Sequence, residues 1–140
     1  MISVDDLVST ARKHLRVKFR HQGRSPETGV DCVGLLAVVA YELGIEVIDD
    51  ATYAFRVNPK QLLAGLLRHC TKDKGIVIKP GRIGLMRFDK IHGATHTVLL
   101  TDKGILHAYN KRGEVVEHRL NDVWRARLVA TFTVDAVTYE

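Results

Sequence analysis

Apolar residues recur at helical spacing near the start of the chain, at Val4, Leu7, Val8, Ala11 and Leu15. Ser3 stands before them as an N-cap, and Asp5 and Asp6 fall in the first turn, where negative charge favours the helix dipole. This predicts a first helix. Residues 18–29 then turn polar and glycine-bearing, which reads as an exposed connection. Asp31 caps a second helix expected from Cys32 to Leu43, apolar on most of its surface and stopped by Gly44. The run is broken by Asp31, Gly34 and Glu42 and falls short of the roughly 20 residues of a membrane span, so no membrane insertion is expected. After an irregular stretch, Asn58 and Pro59 supply an N-cap and a proline at the first helical position. Leu62, Leu63, Leu66 and Leu67 continue a third helix ending near His69.

From Gly75 the pattern shortens to β-type runs, at residues 76–78, 83–88, 95–101, 105–109, 115–118 and 129–134. Turns are expected at Pro80-Gly81, Asp102-Lys103-Gly104 and Lys111-Arg112-Gly113. Connections this short imply an antiparallel meander, because a parallel crossover needs a dozen or more residues. Helices first and strands after give an α+β fold in which the apolar second helix packs on one face of the sheet. A length of 140 residues suits one domain, residues 1–140.

The chain is 46% hydrophobic and 26% charged, the balance of a globular protein rather than a disordered one. Twenty-one basic against 16 acidic residues give a net charge of +5, which favours acidic partners. The basic residues are scattered without interleaved aromatics, so no specific nucleic acid is expected, and Lys111, Arg112, Arg125 and Arg127 read as a solvated face. The N-terminus has no signal-type apolar segment, which suits synthesis in the cytoplasm. Cys32 and Cys70 are too few for a disulfide framework and lie in no C-x-x-C pair. His92 and His96 stand four apart, but Gly93 between them marks a turn rather than a metal-binding helix, so no metal site is expected. Trp124 reads as a packing residue.

Cys32 begins a buried helix, where the dipole favours a thiolate nucleophile. Such a thiol needs a base, and imidazole is the usual choice near neutral pH. His96 and His107 lie on successive runs joined by the turn at Asp102, a spacing that lays both rings on one face of a hairpin. One ring then takes the thiol proton while the other holds its far nitrogen. Cys70, at a helix end with no such context, reads as structural.

These segments resemble the NlpC/P60 cysteine peptidases, a papain-like family that cleaves peptide bonds in bacterial cell-wall stem peptides. Asp31-Cys32-Val33-Gly34-Leu35 is similar to the family's D-C-S-G-[LF] helix start. His96-Thr97-Val98-Leu99-Leu100 is similar to its H-V-G-I-Y strand, and Ile105-Leu106-His107-Ala108 to its I-H-A strand. The loop Arg20-His21-Gln22-Gly23-Arg24 resembles the phage-tail and gene-transfer-agent branch. The resemblance implies Cys32 as nucleophile, His96 as general base and acid, and His107 as the residue that orients His96. It places Asp31, His21 and Val33 at the substrate, and the backbone N–H of Cys32 in the oxyanion site. It requires no cofactor. Its partners are a peptidoglycan peptide and phage-tail proteins, and it implies packaging into a virion or tail that acts at the cell wall. Phe19 stands where many members carry tyrosine, and Val33 where they carry serine. The alternatives are a tail-assembly protein that keeps the fold without cutting, or a related thiol amidase or acyltransferase.

Overall fold

The structure, a computed structural model, describes residues 1–53 and 57–140. It begins with a two-residue strand, β1 (Ile2–Ser3), followed directly by α1 (Val4–Arg12). Ser3 caps α1 as expected: its hydroxyl accepts from the Asp6 N–H while the Asp6 carboxylate accepts from the Ser3 N–H. Leu7, Val8 and Ala11 bury the inner stripe of the helix. A short hairpin, β2 (Arg24–Ser25) with β3 (Gly29–Val30), leads into α2 (Cys32–Glu42), and α3 (Pro59–His69) follows the irregular connection. Asn58 caps α3 through its side-chain oxygen. Part of the irregular connection, residues 54–56, lies outside the described residues.

The remaining strands are β4 (Cys70–Lys72), β5 (Ile83–Arg87), β6 (Ala94–Thr101), β7 (Gly104–Tyr109) and β8 (Glu114–His118). A six-residue helix, α4 (Asp122–Arg127), then precedes β9 (Leu128–Val134) and β10 (Val137–Thr138). β4, β9, β5, β6, β7 and β8 form, in that order, a six-stranded antiparallel sheet. The expected meander therefore holds from β5 to β8, but β9 returns across the sheet to pair with β5 and receives β4 on its other edge. β1 and β10 pair in parallel, which ties the two chain ends together.

Two features depart from the sequence pattern. The run Ile76-Val77-Ile78 is not a strand; the Val77 N–H donates to the Thr131 hydroxyl, and Ile76 and Ile78 stay largely exposed. The neighbouring strand is instead Cys70–Lys72, three residues set by pairing with β9. The short helix α4 was also unforeseen, since six residues carry too little periodicity to register.

Alternation along the strands gives the sheet two apolar faces. Leu85, Leu99, Leu106 and Phe132 lie in the main core with Leu35 and Val39 of α2, so the buried helix packs on one face as expected. Met86, Val98, Leu100, Ile105 and Leu128 form a second core on the other face, closed by Leu120 and Trp124. No described helix is long and apolar enough to cross a membrane.

Candidate active site

The site is built where the start of α2 meets β6. Asp31 caps α2 by accepting from the Gly34 N–H at 2.8 Å. The same carboxylate accepts from the Gln22 N–H at 2.9 Å, from Arg24 Nη1 at 3.2 Å and from the Tyr53 hydroxyl. Asp31 is only 4% exposed, so these bonds replace the solvation its oxygens lose. Its position is that of an organiser beneath the loop, with the helix cap, the loop backbone, the guanidinium and the phenol all converging on it. Burial and the adjoining Asp31 push the Tyr53 hydroxyl well above the ordinary tyrosine range, which keeps it a donor.

Gly34 allows this close approach. A Cβ there would stand 1.9 Å from the Gly23 carbonyl oxygen, so the first turn of α2 rests directly on loop backbone. Gln22 holds φ 61°, in the left-handed region, as the loop turns back toward Asp31. His21 packs edge-on against Tyr53, with ring centroids 5.5 Å apart. Val33, the second residue of α2, is partly buried against the main core.

Cys32 is the first residue of α2, and the residue is 8% exposed. The Thr97 hydroxyl donates to the Cys32 carbonyl at 3.3 Å, which docks the helix start onto the residue that follows His96. Burial pushes the thiol pKa up against the effect of the helix terminus; the N–H groups of Thr97 and Val33 pull it down, and the charge of Asp31 raises it further. Burial at Cys32 thus opposes the effect of the helix start.

His96 and His107 meet as the hairpin spacing requires. His96 Nε2 lies 2.7 Å from His107 Nδ1, and both rings are buried. Desolvation lowers His96 to about 3, helped by the charge of Arg127, and lowers His107 to about 2, helped by the neighbouring imidazoles. Both rings are thus neutral at physiological pH. Thr97 points toward α2, and strand alternation sends His96 to the other side, where its ring lies 5.2 Å from Phe88 and 6.2 Å from Tyr109. Among the described residues Cys32 makes no hydrogen bond to His96. The helix start and the imidazole pair sit at adjacent positions of one strand.

Two residues of this region went unread in the sequence. His118 continues the imidazole chain, its Nε2 lying 2.9 Å from His107 Nε2. The signal was present, because both imidazole contacts join residues 11 apart. Tyr53 brings a phenol to the loop beside Asp31 although Phe19 cannot, and it comes from an irregular segment with no periodicity to mark it. Trp124 covers the chain, its ring 5.1 Å from His107 and 4.9 Å from His118. Arg127, expected in a solvated face, stacks 4.5 Å over Trp124.

No protein-family model matches the sequence, and no curated protein matches it. Solved structures do. The NlpC/p60 domain of the peptidoglycan hydrolase SagA superposes with a TM-score of 0.63 at 18% identity, over 96% of this chain and 99% of that one. A lipoprotein-like protein of the NLP/P60 family from Staphylococcus aureus gives 0.62 at 18% identity over 94% of this chain, and NlpC1 from Trichomonas vaginalis 0.65 at 18% over 91%. This chain spans 41% and 42% of those two proteins, about two-fifths of their length. The chain has the fold of an NlpC/P60 domain.

Proposed function

We propose that this chain is a cysteine peptidase that hydrolyses peptide bonds in the stem peptides of bacterial peptidoglycan. The observation that carries the reading is the buried His96–His107 pair on adjacent strands, beside a helix whose first residue is Cys32. A pair of neutral imidazoles in a closed site is arranged for proton transfer. The fold shared with the SagA domain supports a cell-wall substrate.

In this mechanism His96 takes the Cys32 proton as sulfur attacks the scissile carbonyl. The His96 ring stands on the side of β6 away from Thr97 and no Cys32–His96 hydrogen bond is present among the described residues, so this step requires the Cys32 side chain and the imidazole to come together around the start of β6 when substrate binds. The oxyanion is received by the Cys32 N–H at the start of α2. His96 returns the proton to the leaving amine, and water, with its proton taken by His96, hydrolyses the thioester and restores the thiol. His107 holds His96, and Asp31 holds the loop. His21 and Val33 border the substrate from the loop and the helix start, and Tyr53 adds a polar group where Phe19 offers none. The chemistry needs no cofactor or metal.

The resemblance of the Arg20–Arg24 loop to the phage-tail branch supports a setting in which a tail or prophage particle carries the enzyme to the wall. The reading is tested by incubating the protein with soluble muropeptides and identifying the products by mass spectrometry. New amino termini within the stem peptide, lost in Cys32→Ala, support an endopeptidase. Release of intact stem peptide from the glycan makes the protein an amidase, and no product from wild type contradicts both. The buried thiol, bonded toward Thr97, favours a second reading: a tail-assembly protein that keeps the fold without cutting, whose incorporation survives Cys32→Ala.

A further inference from the structure

The imidazole chain does not end at His107. His118, at the end of β8, presents Nε2 to His107 Nε2 at 2.9 Å and Nδ1 to the Arg119 carbonyl oxygen at 3.0 Å. A carbonyl only accepts, so this last contact assigns a proton to His118 Nδ1. In a neutral His118, Nε2 is then bare and accepts from His107 Nε2–H. His107 Nδ1 is bare in turn and accepts from His96 Nε2–H. Of the three bare nitrogens, one accepts no hydrogen bond within the chain, His96 Nδ1. From the Arg119 carbonyl inward, each hydrogen bond fixes the next.

We propose that His118 is a positioning residue for the catalytic base, setting the tautomers of His107 and His96 so that His96 Nδ1 is the nitrogen available to take the Cys32 proton. The proposal deepens the peptidase reading and rests on it for its catalytic meaning. A second consequence follows from the same geometry. Protonated His118 donates from both nitrogens, so His107 Nε2 must accept, His107 Nδ1 must donate, and His96 must carry its proton on Nδ1. A single proton at the outer end of the chain thereby removes the base at the inner end, with every ring between remaining neutral.

His118 is the outermost ring of the imidazole chain. It is half-buried, in a cavity of about 320 Å³ that it lines with Tyr109, Arg112, Val123, Trp124 and Arg127. The titratable and charged groups facing it are His107 and Tyr109 from β7, Arg112 from the turn before β8, Arg127 from α4, and its neighbour Arg119. Burial holds His96 and His107 neutral far below neutral pH.

The test is long-range 1H–15N correlation of the imidazoles in wild type and His118→Gln across an acid titration. At neutral pH the expected wild-type pattern is a bare Nδ1 on His96 and a protonated Nδ1 on His118. As His118 gains its second proton, His96 is expected to switch to the Nδ1–H form in the same step. In His118→Gln the carboxamide oxygen accepts from His107 and does not titrate, so His96 is expected to keep its bare Nδ1 and the acid step to disappear. The acid loss of Cys32 alkylation should disappear with it. A wild-type His96 protonated on Nδ1 at neutral pH overturns the proposal, as does a His118→Gln protein that keeps the step; the wild-type spectrum decides even if the variant does not fold. These readouts need no substrate, so correct tautomers without peptide cleavage count against the peptidase reading and leave the tautomer assignment standing.

Discussion

His107 grips His96 by a 2.7 Å hydrogen bond between Nδ1 and Nε2, with the two rings crossing at 71°. The pair sits on adjacent strands of a rigid sheet, and Tyr109 stacks at 26° against His107. An imidazole held this way has one nitrogen committed and one left for chemistry. His107→Leu is expected to leave the fold in place, because a buried apolar side chain suits that face, and to lower turnover by roughly 10² to 10⁴, the range for a correctly presented general base. His107→Asn, which keeps a hydrogen-bonding side chain, should lose less. Steady-state kinetics on a soluble stem peptide, with circular dichroism as a control for folding, measures both.

Stability should depend on acid in a defined direction. His96 and His107 have folded-state pKa values pressed to about 3 and about 2 from the ordinary 6.5, so the unfolded chain binds protons that the folded one does not. Their contribution is fully present above pH 6.5 and is lost as pH falls through the window toward 3 and then 2. Urea midpoints measured from pH 7 to pH 4 should fall, and His107→Leu should flatten that dependence. A variant as acid-sensitive as wild type contradicts the assignment.

Asp31 joins the helix cap to the loop, so its loss should be structural before it is chemical. Asp31→Ala removes an N-cap and leaves the partly buried Arg24 short of a partner, and is expected to cost about 2–4 kcal/mol in denaturant unfolding. Tyr53→Phe removes one hydrogen bond from the same carboxylate and should cost about 1 kcal/mol.

Gly34 offers a test of how closely the helix start rests on the loop. A methyl group there meets the Gly23 carbonyl, so Gly34→Ala is expected to destabilise by about 1–3 kcal/mol and to displace the loop that carries His21. Gly65, whose added Cβ meets nothing within 4 Å, is the control, and Gly65→Ala should stabilise α3.

Much of this arrangement was legible before the structure. Ser3, Asp31 and Asn58 announce helix starts because a capping oxygen has a fixed place relative to the N–H groups it serves. Strands β5 to β8 follow from alternation and tight turns, and the hairpin joining His96 to His107 follows from their spacing. The return of β9 to β5 and the parallel pairing of β1 with β10 were not legible, since pairings between distant segments leave no local pattern. Ile76 to Ile78 carry strand-like residues, yet the Thr131 hydroxyl rather than a neighbouring strand takes the Val77 N–H. For Cys32 a sequence shows the helix terminus that favours a thiolate but not the depth of burial that opposes it. His118 was overlooked although it repeats the 11-residue interval of the first two histidines.

The central claim, that Cys32 is a nucleophile served by His96, has an internal control in Cys70. Both cysteines are 8% exposed as residues, and burial pushes Cys70 up to about 12, so accessibility and desolvation alone make both slow. The most direct measurement is the iodoacetamide labelling rate of each cysteine in the folded protein at pH 7, resolved by mass spectrometry, in wild type and in His96→Ala. Cys32 is expected to react at least about tenfold faster than Cys70, as a thiol with a general base at hand does, and His96→Ala is expected to bring it down to the Cys70 rate. Equal rates in wild type, or a fast Cys32 indifferent to His96→Ala, would contradict the claim.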